Sequence, residues 1–254
     1  MTDSGKLLRL EQDGDLRVLT LDDGRGNALS QAMLEALAGA LDEALSGSAL
    51  VLRGREKVFS GGLDLPTVTA LNRERLRGFV ELFDRVHEQL LAFPRPIVTV
   101  AKGSAIAGGA ILLCAGDRRL VTPHGKAGIT EAMLGLSLPT AALELVRCAL
   151  GERLASEAAQ SGSVFEGEER LRSGFATEVV PLERIDERAF ELARSLAAAD
   201  REAVAALRQQ LRADAIERVH RRARHDRERF LDLWFAERTH ARLVELARTL
   251  APRP

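Results

Sequence analysis

The sequence predicts an α/β fold followed by a helical C-terminal extension, and three observations carry that reading. Through residues 1–180, short apolar or β-branched runs alternate with stretches of helical periodicity, the pattern of stacked strand and helix units rather than of a bundle or sandwich. Two glycine clusters, Gly61-Gly62 and Gly108-Gly109, each fall between a predicted strand and a helix. Over residues 181–254 the chain is rich in Ala, Leu, Arg and Glu at helical spacing, with no strand signal.

Taken in order, residues 16–21 (LRVLTL) alternate like a strand and end at the turn residues Asp22, Asp23 and Gly24. Ser30 is suited to N-cap a helix in which Met33, Leu34, Leu37, Leu41 and Leu45 recur at helical spacing, until Ser46 and Gly47 stop it. Residues 49–52 form a short strand that feeds REKVFSGGLDLP, residues 55–66. A helix over residues 73–91 is broken by Pro94 and Pro96, and IVTVA (97–101) reads as a buried strand. The run AIAGGAILLCAG (105–116) reads as a buried helix and residues 118–121 as a strand. Pro139 stands close to the first turn of a helix ending near Gly151. Further helices are expected over residues 185–199, 201–213 and 226–250.

Composition limits the chemistry. The chain has 254 residues, 46% apolar and 29% charged, with a formal net charge of −1. It is long enough to bury a substantial core and too nearly neutral for a dedicated nucleic-acid binder. Tyrosine is absent, so no phenol serves as acid, electrophile or nucleophile; carboxylates, histidines and backbone amides remain. Cys114 and Cys148 lie in apolar stretches without CxxC or metal-ligand spacing, and read as buried thiols in a reducing compartment, with no metal site. Lysine is scarce beside arginine, 4 against 32, which we attribute to genomic base composition. The N-terminal residues lack the apolar core of an export signal. The weakly polar run 105–116 is too short to span a bilayer, so a cytoplasmic protein without a membrane partner is expected.

The glycine clusters are not phosphate loops, since the chain has no GxxxxGK(S/T) and no GxGxxG opening a helix after a strand. Either cluster alone reads as a tight turn or close helix packing. Together they place unpaired amides at two helix starts, where the helix dipole is positive. Two such amides converging form an oxyanion hole, which suits the enolate of a thioester.

The segment GREKVFSGGLDL, followed by RPIVTVAKGSAIAGGAILLCAGDRRLVTPHGKAGITEAMLGL, resembles the crotonase (enoyl-CoA hydratase/isomerase) superfamily, and the upstream LDDGRGNAL matches that family's first strand-to-helix turn. The likeness runs from about residue 7 to 181. It implies a spiral of ββα units over residues 1–180, helices over 181–254 that cover the site and build a homotrimer or hexamer, and an acyl-CoA thioester substrate. No cofactor is implied beyond the coenzyme A carried by that substrate. The resemblance assigns the two oxyanion amides to Leu63 and Gly108, and makes Gly61, Asp64, Leu65, Arg25 and Lys57 candidates to face the CoA; Asp64 equally reads as a helix cap.

Hydratases of the family use two glutamates. The second corresponds to Glu131 in ITEAMLG, but the position of the first, three residues after the oxyanion glycine, is Ile111. A pair of carboxylates holds and activates water, whereas one carboxylate beside an enolate-stabilising hole shuttles a proton. Ile111 also dries the cavity, which raises the pKa of Glu131. The pattern resembles the one-glutamate Δ3,Δ2-enoyl-CoA isomerases. An atypical hydratase recruiting Glu81 or Asp84 on the 73–91 helix stays open, as does a plain packing role for Ile111. His87 lies on that same helix near the presumed pocket, while His124 in TPHGK reads as solvated.

Residues 217–229 (ERVHRRARHDRER) carry six Arg and two His. They read as a solvated helix face, as cations near the CoA phosphates, or as a subunit contact. RNA binding is disfavoured because no aromatics interleave. Phe230, Trp234 and Phe235 follow at helical spacing and read as packing. The rival to an enzyme is a non-catalytic CoA-binding or scaffold protein that uses this arginine-rich helix.

Overall fold

The computed structural model describes residues 7–251. Residues 1–6, part of the segment read for an export signal, lie outside the described residues. No helix among the described residues is long and apolar enough to cross a membrane.

The chain opens with an antiparallel hairpin of β1 (Leu8–Asp13) and β2 (Leu16–Leu21). Helix α1 (Gln31–Ala44) follows, with Ser30 at its N-cap accepting from the Met33 N–H. One order of parts then repeats: a strand of a large sheet, a short strand of a second sheet, and a helix. In the first turn of this spiral these are β3 (Ala49–Arg53), β4 (Val58–Ser60), and the helices α2 (Leu65–Val68) and α3 (Arg73–Ala92). The second turn supplies β5 (Ile97–Ala101), β6 (Ser104–Ile106) and α4 (Gly108–Leu113). The third supplies β7 (Arg118–Val121), β8 (Lys126–Gly128), α5 (Glu131–Leu134) and α6 (Thr140–Ser161). The chain continues through β9 (Val164–Glu166), α7 (Glu169–Arg172) and β10 (Glu178–Val179). Three helices end it: α8 (Ile185–Ala197), α9 (Arg201–Phe235) and α10 (Glu237–Leu250).

The large sheet has the order β1-β2-β3-β5-β7-β10 and the small one β4-β6-β8-β9. Each turn of the spiral adds one parallel strand to each sheet. The large sheet is covered on both faces, so its strands read as continuous apolar runs. In β3, Leu50 and Leu52 enter the main core with α1, α3, α4 and α6, while Ala49 and Val51 meet Ile185, Ala189 and Ala193 of α8 on the other face. Phe230 and Trp234 of α9 are buried with ring centroids 5.7 Å apart, as their spacing predicts.

Several elements differ from the sequence expectation. The run 105–116 is not one helix: Ala107 has φ 53°, so β6 ends there and α4 begins at Gly108. Gly151 (φ 75°, ψ 161°) does break the helix after Pro139, but a second helical stretch continues to Ser161. The helices expected over 201–213 and 226–250 are divided differently. The arginine-rich run joins the first to residue 235, and the break falls at Ala236. Buried Val219, with Ala215 just before the run, anchors it on the core side, and ion pairs such as Arg218–Glu144 (2.7 Å) satisfy several of its charges. Strand β1 has only Leu8 and Leu10 buried, too short an alternation to stand out. Cys114 is buried, but Cys148 on α6 is exposed, so the sequence expectation of two buried thiols holds for the first alone.

The repeat fixes where function can sit. Leu63, Gly108 and Glu131 each follow the C-terminal end of a small-sheet strand, in three successive turns of the spiral. The end of β4 lies so close to the start of α4 that a Cβ on Gly109 would fall on the Ser60 carbonyl. Gly109→Ala should therefore abolish folding or cost more than about 3 kcal/mol, because the obstacle is backbone. The exposed mid-helix Gly39→Ala, with nothing within 4 Å, should add about 0.5–1 kcal/mol. Urea denaturation of the two variants checks the contrast.

Candidate functional site

The first glycine loop is held by its neighbours in the fold. Asn27, buried and with φ 50°, donates through Nδ2 to the Leu21 and Phe59 carbonyls, both at 3.0 Å. Ser60 Oγ donates to the Asn27 carbonyl (2.7 Å) and accepts from the Gly62 N–H (3.2 Å). An isolated parallel bridge pairs Leu29 with Leu63: the Leu29 N–H donates to the Gly62 carbonyl (2.8 Å) and the Asp64 N–H to the Leu29 carbonyl (3.4 Å). Because a parallel bridge uses the groups on either side of the bridged residue, the Leu63 N–H points the other way. Among the described residues it has no acceptor.

The second amide comes from a strained turn. Ala107 combines φ 53° with ψ −125°, a conformation that costs an L-residue of order 1–3 kcal/mol and persists only where its surroundings fix it. The fixing contact is the Ala107 N–H donating to the Gly128 carbonyl of β8 (2.8 Å). Gly108 then opens α4, where its N–H has no intrahelical partner. The two loops touch: a Cβ on Gly62 would sit 3.1 Å from the Gly108 nitrogen. Phe83 walls the same spot, its Cε2 lying 3.7 Å from where a Gly108 Cβ would be.

Glu131 opens α5, three residues after Gly128, whose carbonyl holds Ala107 and whose strand pairs with β6. The residue as a whole is half-buried, yet its Oε2 is sealed from solvent and has no hydrogen-bond partner. Burial, opposed only weakly by local amides, pushes the carboxyl up to about 7. A cavity of about 390 Å³ begins at Glu131 and runs between α6 and α9; Leu63 and Gly108 do not line it.

The remaining sequence candidates separate. Ile111 is buried in the main core. Glu81 is exposed and paired with Arg227 at 2.9 Å. Asp84 is buried, and burial raises its carboxyl to about 6; its Oδ1 accepts from the Ala141 N–H at the start of α6 (3.2 Å). His87 is fully buried and its Nδ1 lies 2.7 Å from the Phe83 carbonyl, which fixes the proton on Nδ1 and leaves Nε2 a bare acceptor. Desolvation lowers its pKa to about 4, so the ring is neutral.

Asp64 stands at the α2 N-cap position but makes no cap; its Oδ2 accepts from Thr67 Oγ1 (2.7 Å). Leu65 is turned into the core. Gly61 is exposed and tied to the Gly26 carbonyl (2.9 Å), which places exposed Arg25 beside it. Lys57 is exposed at the opposite end of β4, in a groove with Lys102, Lys126 and His124. Three residues that shape the site escaped the sequence reading: Asn27, Ala107 and Phe83. Only Asn27 left a signal, as the last polar residue of LDDGRGNAL.

The spiral of strand pairs and helices, with the Gly62 loop packed against the start of α4 and a buried carboxyl oxygen after the next strand end, points to one family. The chain belongs to the enoyl-CoA hydratase/isomerase family, whose model matches residues 11–242. It is 32% identical to the crystal structure of an enoyl-CoA hydratase from Mycobacterium marinum, with TM-score 0.80 over 88% of this chain and 99% of that one. It is 33% identical to an enoyl-CoA isomerase of Mycobacterium tuberculosis, with TM-score 0.78 over 87% and 96%. The human mitochondrial delta3-delta2-enoyl-CoA isomerase shares the fold at TM-score 0.91, with 22% identity over 96% of this chain and 98% of that one.

The electrostatics of Glu131 have a measurable consequence. Between pH 4.5 and about 7 the unfolded chain has released this proton while the folded chain still holds it, so stability falls as pH rises through that window. Glu131→Gln removes the penalty. The variant should match the parent near pH 4 and exceed it by roughly 1–3 kcal/mol at pH 8, measured by thermal or urea unfolding.

Proposed function

We propose that this protein is an enoyl-CoA isomerase that moves a double bond with a single carboxylate. The observation that carries the reading is the Glu131 carboxyl, whose Oε2 is buried and unpartnered, combined with an isoleucine where a second glutamate would stand. Ionised Glu131 takes the C2 proton of a 3-enoyl-CoA. The electron pair moves onto the thioester oxygen, where the Leu63 and Gly108 N–H groups stabilise the enolate. The electrons return through C2 as the C2–C3 bond becomes double and the C3–C4 bond single, and the same carboxyl delivers its proton to C4. Nothing is added or lost.

A carboxyl that ionises near neutrality suits this exchange, since it is basic enough to accept the proton and acidic enough to return it. Hydration would need a second group to activate water. Asp84 is the nearest in kind, but one of its oxygens is occupied by the start of α6 and the other lies 3.9 Å from Arg227.

Purified protein incubated separately with 3-enoyl-CoA and 2-enoyl-CoA should move the double bond efficiently and hydrate poorly. Glu131→Gln should reduce isomerisation by at least about 100-fold. Because the free enzyme must present the carboxylate, kcat/KM should rise with pH through about 7 and level off above it. Hydration that outpaces isomerisation, or turnover that survives in Glu131→Gln, overturns the proposal.

A further inference from the structure

We infer that the acyl chains this site prefers end in a carboxylate, held by Arg229; the inference rests on the isomerase reading and names its substrate class. The cavity that begins at Glu131 has apolar walls from Leu136, Leu138 and Leu143, and at about 390 Å³ it lies at the small end of ligand pockets, fitting a chain of moderate length. On the isomerase reading the C2 to C4 segment of the acyl chain meets Glu131, and this cavity is the space next to that carboxyl that the rest of the chain would enter.

Charge balance identifies what the cavity would hold. Six ionisable side chains line this cavity. Arg147 is neutralised by Glu152 (2.6 Å) and Arg222 by Asp226 (3.1 Å), and Asp226 is held further by the Thr140 hydroxyl (3.0 Å). That leaves Glu131, which must stay free for proton transfer, and Arg229, whose guanidinium has no ion pair or hydrogen bond among the described residues. Glu131 does not meet that need, since no ion pair joins it to an arginine among the described residues and its Oε2 has no partner. An apolar cavity with one unneutralised guanidinium at its rim matches a carboxylate at the end of an aliphatic chain. Because Arg229 is exposed, screening limits the preference to about tenfold.

The test compares suberoyl-CoA with octanoyl-CoA, saturated probes of equal length, by calorimetric titration of the full protein. In parallel it compares kcat/KM for the corresponding carboxylated and methyl-ended 3-enoyl-CoAs. The parent should bind suberoyl-CoA about tenfold more tightly. Arg229→Ala should erase that difference and leave octanoyl-CoA affinity unchanged, while Arg224→Ala, at an exposed cation of α9 outside the cavity, should change neither. Equal affinities in the parent, or equal losses for both probes in Arg229→Ala, overturn the inference. A preserved affinity difference without any double-bond migration supports it and overturns the isomerase reading alone.

Discussion

Contact between two stretches of bare backbone, the end of β4 and the beginning of α4, is the constraint on which the rest of the site depends. Side chains normally keep neighbouring elements about 10 Å apart, but Gly62, Gly108 and Gly109 have none, and the two segments close to van der Waals distance. That approach sets the Gly62 loop against the Gly108 nitrogen, and the surrounding hydrogen bonding leaves over the N–H groups of Leu63 and Gly108. The Leu29–Leu63 bridge uses the groups flanking Leu63, and the start of α4 cannot serve Gly108. The backbone strain at Ala107 follows from the same geometry. The chain must leave β6 abruptly to begin α4 against Ser60, and the Gly128 carbonyl of the next strand holds it there.

Charge is distributed in a complementary way. Many of the arginines lie along α9, and ion pairs in both directions join that helix to the core elements. Arg208 and Arg212 converge on Asp117, Arg218 reaches Glu144, and Glu228 accepts from Arg73 and Arg77. These pairs fasten the long helix across α3 and α6 and neutralise charge outside the site. Glu131, by contrast, has no ion pair among the described residues, and its Oε2 is buried without a hydrogen bond. Buried Glu144 is paired with two arginines while Glu131 has none, so the partner and not burial alone separates the fastening acids from the one left to titrate near neutrality.

Much of this was legible in the sequence, for identifiable reasons. The large-sheet strands announced themselves because burial on both faces writes an uninterrupted apolar run, as in IVTVA. Ser30 announced α1 because the cap and the helical spacing agree. The family motifs pointed to Leu63, Gly108 and Glu131, which the fold sets after three successive small-sheet strands, and drew attention to Ile111. The small-sheet strands were less legible. Each of β4, β6 and β8 has three residues, too few to display a period, and Ala107 adopts a conformation that alanine does not advertise. The continuity of α9 was hidden because its middle is secured by Ala215, Val219 and ion pairs to distant residues rather than by an apolar stripe. Which charge lacks a partner at the Glu131 cavity is a property of assembled neighbours and is written nowhere locally.

The sole indole of the chain, Trp234, lies fully buried beside Phe230 on α9, and tyrosine is absent. The near-ultraviolet emission of the folded protein therefore comes from one position, at the seam where the long C-terminal helix meets the core. Its wavelength reports whether that seam is dry. The molecule carries a built-in optical gauge of α9 docking that needs no label and has no competing fluorophore of its own kind.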